Sequence, residues 1–361
     1  MTILYRYIIK EFIKPLTLSA VAFGGLVLIS EFFRELNYYI EHKASFLIVF
    51  EYLLLNLPWW IIQVLPVSVL LAVLFSLGGL ARTGEITALK AAGVNLWHII
   101  FIFLFAGFGI SAIDLTVRET LIPATITMAE DVREHRIHKR VRKPRKTVFD
   151  DLMVSVPDNG RMTIGTLNIE TPALSNIVID YFNDDFTLKK QVVAPSSVWQ
   201  DNHWHIQSGV ERTFNLDGSC TEKPFTEYIL QAPFTPDDFT PLNQRPEHIT
   251  TQQLKHHISR MHALGISAEK ERMQFHSRFA SATSHLVVML IGIPFALGLG
   301  SRHGKMISFT FALIFAFIYW SVQAIGQSLG ENNILPAPIA AWLGNMAFAI
   351  GGLIMISGIR K

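Results

Sequence analysis

The side chains able to do acid–base, nucleophilic or metal chemistry are scattered along this chain and fall into no spacing that such chemistry requires. Three histidine pairs, His135/His138, His203/His205 and His256/His257, offer imidazole nitrogens. None has carboxylate or cysteine companions at a metal-ligand spacing, and the pair at 203/205 projects to the solvent side of an alternating strand, so no metal site is expected. Gly-x-Ser-x-Gly and His-Glu-x-x-His are both missing from the sequence, and no catalytic residue is assigned. The run Gly298-Leu-Gly-Ser-Arg-His-Gly304-Lys305 approaches a phosphate-cradling loop, but its spacing is wrong and Met306 stands where a Mg²⁺-binding Ser or Thr is needed. The chain is therefore expected to need no cofactor and to hydrolyse no ATP itself. His98 and His285 lie in apolar stretches, where an ionisable group is a functional candidate by default. An interface position explains His98, and a hydrogen bond to a neighbouring helix explains His285. Asp114, Arg118 and Glu119 are read as snorkelling at a helix end.

Such chemistry needs a scaffold, and composition specifies which. Of 361 residues half are hydrophobic and only 17% charged, which disfavours a soluble protein and indicates a membrane protein. A net charge of +2 is too small to argue for nucleic-acid binding by itself, and no nucleic-acid partner is expected. The single cysteine, Cys220, excludes an intrachain disulfide. Six segments approach the roughly 20 apolar residues of a membrane span, at 15–33, 52–80, 94–114, 279–301, 306–329 and 336–358. Ala20-Val21-Ala22 imitates a signal-peptidase site, yet the apolar run continues past it, so an uncleaved anchor is expected.

Between Val117 and Met273 the hydropathy collapses and the period becomes two. Leu152/Val154/Val156 and Met162/Ile164 flank an Asp158-Asn159-Gly160 turn, and strands at 176–182 and 186–194 flank Asn183-Asp184-Asp185. Val198-Trp199 and His203–Ile206 form a further hairpin across Asp201-Asn202, with Trp204 and Ile206 facing one way, and Asp217-Gly218 marks another turn. Short strands at regular spacing predict an all-β sandwich or jelly-roll-like sheet pair, flanked by stalk helices at 118–140 and 249–272. The organisation expected is 1–117 (three spans), 118–248 (stalk and β domain) and 249–361 (stalk and three spans). The run 133–146 carries eight Lys/Arg and is a solvated stalk or an attractor of anionic headgroups.

A short polar island, Ala81-Arg-Thr-Gly-Glu-Ile-Thr-Ala-Leu-Lys-Ala-Ala-Gly-Val-Asn95, separates the second and third spans. Thr83 suits an N-cap, Glu85 the first turn, Lys90 the last and Gly93 a left-handed C-cap, so a helix over about 83–93 is predicted. Ile86 and Leu89 share one face, and a helix this short is marginal alone. It needs a surface to grip, for which a soluble cytoplasmic protein is the natural candidate. Lys and Arg favour one side: Arg6, Lys10, Lys14, Arg82, Lys90, Arg302, Lys305, Arg360 and Lys361, against Arg34 and Lys43 on the other. This predicts both termini in the cytoplasm and the β domain outside.

The stretch from Leu57-Pro58 through Leu65-Pro66-Val-Ser-Val-Leu-Leu-Ala72 to Leu80-Ala-Arg82-Thr-Gly-Glu85-Ile-Thr-Ala-Leu-Lys-Ala-Ala-Gly93-Val94 closely resembles the LptF/LptG permeases of lipopolysaccharide export. Arg6-Tyr7, Val198-Trp199-Gln-Asp-Asn-His-Trp204 and Gly292-Ile293-Pro294 extend the resemblance over essentially the whole chain. It implies an inner-membrane ABC transporter permease of six transmembrane helices with an inserted periplasmic jelly-roll-like domain. Its implied partners are a cytoplasmic ABC ATPase dimer that binds the ATP, a second LptF/LptG-like permease, a periplasmic LptC/LptA-like bridge and lipopolysaccharide. It also implies ATPase coupling through Arg82, Glu85, Ile86 and Leu89, and a lipid path touching Glu31, Arg34, Tyr38, Ile164, Ile179 and Trp204. Where the family often carries basic residues at the outer end of the first span, this chain has Glu31 before Arg34. The alternatives are a membrane-anchored enzyme acting on cell-envelope lipids and a non-transporting scaffold.

Overall fold

The computed structural model describes residues 2–138, 147–215, 218–230, 234–239, 248–299 and 305–358. They divide into two compact units, one of long helices and one of a β-sheet with a short helix. In the first unit α1 (Thr2–Arg34) and the short α2 (Leu36–Glu41) precede α3 (Phe46–Arg82), α4 (Glu85–Ala91) and α5 (Leu96–Asp131), which widens into a π-helical stretch over Val132–Ile137. After the sheet come α6 (Thr251–Ala263), which groups with it, and then α7 (Glu269–Leu299), α8 (Lys305–Glu331) and α9 (Ala337–Ser357). Six helices are long and apolar enough to cross a membrane, one for each predicted segment.

The spans differ in how much of their surface the chain covers. α3 packs against α1, α5, α7 and α8 and is apolar on every side, as an enclosed helix must be; Val69, Ala72, Val73 and Leu77 are fully buried. α7 is covered almost as thoroughly, whereas α1 and α8 are the most exposed spans. Close crossings use small residues, since lipid offers no hydrophobic drive to press helices together. A Cβ at Gly292 of α7 would lie 2.9 Å from Leu70 Cδ1 on α3, and one at Gly352 of α9 would lie 2.9 Å from the Leu290 backbone. Polar side chains add cross-links. Asn345 donates to Ala280 O at 2.6 Å and accepts from the Tyr319 hydroxyl at 2.7 Å, tying α9 to α7 and α8.

The second unit holds β1 (Val148–Val156), β2 (Gly160–Asn168), β3 (Ala173–Phe182), β4 (Leu188–Gln200), β5 (His203–Phe214) and β6 (Cys220–Leu230), all antiparallel and neighbouring in chain order. The turns at Asp158-Asn159 and Asp201-Asn202 take positive φ at both central residues, as two-residue hairpins demand. Asp217 of the other expected turn lies outside the described residues. The β domain is thus present, built as one up-and-down sheet in place of the expected pair.

A transverse crease lets one sheet enclose a core. Regular pairing resumes on both sides of a single row, Asp151, Gly165, Asn176, Pro195, Ser208 and Thr226, one residue from each strand. Asp151, Asn176 and Ser208 take φ of 53°, 53° and 50°, the irregular backbone expected of bulges. The inward positions change parity there: Met162 and Ile164 are buried before the row in β2 and Leu167 after it, as Leu174 and then Ile177 and Ile179 are in β3. Pro195 sits in mid-strand because the crease asks no ladder hydrogen bond of it, so β4 continues through the site where two separate strands were expected. The sheet also rolls. Tyr181 on β3 and Tyr228 on β6 lie three strand spacings apart, roughly 14 Å in a flat sheet, yet their hydroxyls are 3.3 Å apart. Burial, then the hydrogen bond to Tyr228, holds the Tyr181 phenol well above its usual pKa.

Inside the roll Trp204 is fully buried, packs on Trp199 and Phe234, and donates its indole N–H to Phe234 O at 3.2 Å. Trp204→Ala is expected to cost this unit about 3–5 kcal/mol, read as a loss of amide-exchange protection in β3 to β5 while the helical unit keeps its own. The expected stalk at 249–272 is broken. α6 ends at Ala263, Leu264 O accepts from Ser155 N at 2.9 Å on β1, and Gly265 takes φ 69° directly over Ser155.

Candidate coupling helix and the polar groups of the helical unit

α4 is shorter than predicted and starts differently. Gly84, with φ 78°, occupies the N-cap, while Thr83 closes α3. Thr83 Oγ1 donates to Gly79 O at 3.2 Å and to Glu85 Oε1 at 2.9 Å, so the expected Thr83 N-cap is replaced by a bond to the carboxylate itself. The other oxygen, Glu85 Oε2, accepts from the Tyr7 hydroxyl at 2.8 Å. At the far end Gly93 takes φ 79° as expected, with Gly93 N donating to Lys90 O and Val94 N to Leu89 O, a Schellman closure. Asn95 Oδ1 then accepts from Trp97 N at 2.9 Å and starts α5.

The apolar face of α4 needs no foreign surface. Ile86 is buried, and Leu89 packs beside it, in the same cluster as Ile8, Phe12, Leu80, Leu96 and Ile99. This corrects the expectation that Ile86 and Leu89 await a partner: the chain's own spans cover them. What faces outward is polar or small, namely Arg82, Thr87, Ala88, Lys90 and Ala91. Seven residues could not hold a helix alone. Ile86 and Leu89 seat it, and Glu85 ties it to α1, so that α4 is packed and bonded onto the adjoining ends of α1, α3 and α5.

At the opposite ends of these helices a second polar group gathers. Arg34 is exposed and pairs with Glu31 on its own helix, while Tyr38 takes the Arg133 guanidinium at 5.1 Å from its ring centroid. Arg133 also reaches Glu35 at 3.5 Å, and Arg136 holds Glu51 at 2.7 Å. Of the basic run, residues 139–146 lie outside the described residues; the described arginines are ion-paired to Glu35, the N-cap of α2, and to Glu51 of α3. His138 Nδ1 and His42 Nε2 approach to 2.6 Å, and His42 Nδ1 lies 2.9 Å from Tyr38 O. Charge counting alone did not reveal these acid partners, because they are some 85 and 98 residues away in the chain. Ile164, Ile179 and Trp204 have no exposed surface. As drawn from the sequence they were lipid contacts; in this arrangement they are core, reachable only if the roll opens.

Asp114, Arg118 and Glu119 do not snorkel. The Asp114 side chain is wholly buried between Arg118 Nε at 2.7 Å and His285 Nε2 at 3.0 Å, which bonds α5 to α7. With Nε2 donating, His285 Nδ1 is left as a bare acceptor without a partner among the described residues. Glu119 accepts from the backbone N–H of Thr251 at 3.0 Å and from its hydroxyl, and lies 3.7 Å from Arg278 Nη1. His98 is exposed near the start of α5, as expected. Among the described residues no group of three or more His, Cys, Asp or Glu is placed to hold a metal ion.

The family profile described as "Lipopolysaccharide export system permease LptF/LptG" matches residues 6–357. Among curated proteins, the chain is similar to "Lipopolysaccharide export system permease protein LptG" of Haemophilus influenzae, 20% identical over 356 residues, covering 96% of this chain and 95% of the relative. The protein of the same name from Escherichia coli K12 is 19% identical over 349 residues, with 96% and 95% covered.

Proposed function

Because the chain belongs to the LptF/LptG family of lipopolysaccharide export permeases, and is thus a multi-pass inner-membrane protein, we propose that it is one half of a lipid exporter driven by an ATPase that it does not itself contain. The observation that carries the mechanism is the seating of α4. A helix fixed to three spans by Ile86, Leu89 and the Tyr7–Glu85 bond passes any displacement straight to them. In this reading α4 and both termini face the cytoplasm, where an ABC ATPase dimer grips Arg82, Thr87, Ala88 and Lys90, and the rolled sheet lies in the periplasm, where it hands lipid to a bridge protein. The uneven distribution of Lys and Arg among the loops supports this orientation.

α1 and α8, the least covered spans, form with a second, similar permease the walls of a cavity that takes lipopolysaccharide from the outer leaflet. ATPase closure rocks the spans and narrows the cavity. Acyl chains cost about 0.8 kcal/mol per methylene in water, which is why a covered route and an energy source are both required. Similarity to proteins named LptG supports the LptG-like half. No observation favours the envelope-enzyme reading. The test is Ala88→Trp, a bulky change on the exposed side of α4. It is expected to strip the ATPase from the complex during detergent purification while the chain inserts at normal yield. Recovery of the ATPase at wild-type stoichiometry would overturn the reading.

A further inference from the structure

His42, the C-cap of α2, meets His138, the C-cap of the π-helical stretch that ends α5, a helical form that recurs at functional sites. Tyr38 O is an acceptor only, so its partner His42 Nδ1 carries a proton and His42 Nε2 is left as a lone pair. His138 Nδ1, 2.6 Å away, is then the donor. The bond requires a bare nitrogen on one ring and a proton on the other. One further proton can be taken up at His138 Nε2 without disturbing it, and the bond gains from the charge. A second falls on His42 Nε2 itself, and two N–H groups then point at each other across 2.6 Å.

Little around the pair can absorb that charge. Both rings lie against Tyr38, at 4.4 and 6.0 Å between centroids, and the Arg133 guanidinium already stands 5.1 Å from the same ring. The carboxylates of the surrounding elements are committed: Glu31 to Arg34 on α1, Glu35 to Arg133, Glu51 of α3 to Arg136, and Asp131 of α5 to His135. The Tyr52 hydroxyl accepts from Arg133 Nη1 at 3.4 Å. Glu41 and Lys43 flank His42 and Glu134 precedes His135, all at exposed positions where water and salt screen them. The chain continues with Lys139 and Arg140, outside the described residues. What opposes separation is apolar: Ile137, fully buried, packs with Tyr39, Val49 and Leu53. We propose that His42 and His138 form a proton-operated clasp, which holds the π-helical end of α5 on α2 at neutral pH and lets it go in acid once the pair has gained two protons. The clasp belongs to one chain and goes beyond the export reading.

The test is hydrogen–deuterium exchange of the full chain in detergent, from about pH 7.5 to about pH 5, across the range in which imidazole titrates. EDTA is present throughout, so that no metal ion bridging the two rings takes the place of the proton. After correction for the intrinsic pH dependence of exchange, protection of Leu36–Glu41 and Val132–Ile137 is expected to fall about ten-fold in acid, while that of α9 holds. His138→Asn puts an amide where Nδ1 stood. It donates to a neutral His42 and accepts from a charged one, so protection is expected to persist down to about pH 5. His42→Gln offers His138 the same choice from the other side and is expected to behave alike, which keeps a reading available should one variant dock poorly. Both variants leave Glu35 and Glu51 in place, so an acid release that belongs to those carboxylates would survive in them. Wild-type protection that stays level down to about pH 5, or an undiminished acid release in either variant that docks normally at neutral pH, would overturn the proposal.

Discussion

Asp114→Ala is expected to be the most damaging single substitution in the helical unit, lowering stability by about 3–5 kcal/mol. The carboxylate is enclosed between Arg118 and His285, and its removal takes the acceptor from the Arg118 Nε–H and from the fully buried His285 N–H. The measurement is the thermal midpoint and membrane yield of the purified chain, and both should fall. Asp114→Asn keeps one acceptor oxygen for Arg118, and its amide N–H is met if His285 switches tautomer and offers Nε2 as the acceptor, so it should lose less than the alanine variant. His285→Ala, tested with and without Asp114→Ala, should be far from additive, because the two residues share one bond. A midpoint for Asp114→Ala within a degree of wild type would mean that the triad contributes nothing to holding α5 on α7.

Glu85→Ala is expected to uncouple, and to do so without unfolding. The carboxylate accepts one bond from Thr83 and one from Tyr7, both at exposed positions, so the fold should lose no more than about 1–2 kcal/mol. The adjoining apolar seat of Ile86 keeps α4 in place. What disappears is the latch to α1. Lipid released per ATP hydrolysed, measured in vesicles with the reconstituted complex, should fall at least about ten-fold, the effect of roughly 1.4 kcal/mol in a coupling equilibrium. Tyr7→Phe, which removes one hydroxyl only, should fall less, while its ATPase turnover continues. If Glu85→Ala exports lipid at the wild-type rate, the latch is ornamental and the force must enter elsewhere.

The features legible in the sequence were those whose cause is local. Six apolar runs became six spans because a bilayer-length helix is a property of about 20 consecutive residues. The Asp158-Asn159 and Asp201-Asn202 turns followed from residues that tolerate positive φ, and Trp204 and Ile206 share the buried face that their alternation required. What was illegible was decided at a distance. Asp114 meets His285 across 171 residues, and nothing near either position announces the other. Ile86 and Leu89 were visible as an apolar face, but whether the chain or a stranger covers it depends on how three helices converge. The crease was hidden for another reason: Asp151 and Ser208 enter the left-handed region without a glycine to mark them, and Pro195 looked like a strand end. The family resemblance implies the role of α4, while the Tyr7–Glu85 bond joins residues 78 positions apart and depends on how α1 meets α4.

The row from Asp151 to Thr226 crosses every strand at one level, and along it the ladder is interrupted. Cloth pressed along a line yields along that line first, and this sheet has the same anisotropy: it resists stretching along its strands yet flexes about the seam at little energetic cost. A guest arriving at the roll would then be admitted by bending at the seam, with each flank keeping its own register, its hairpins and its tryptophan.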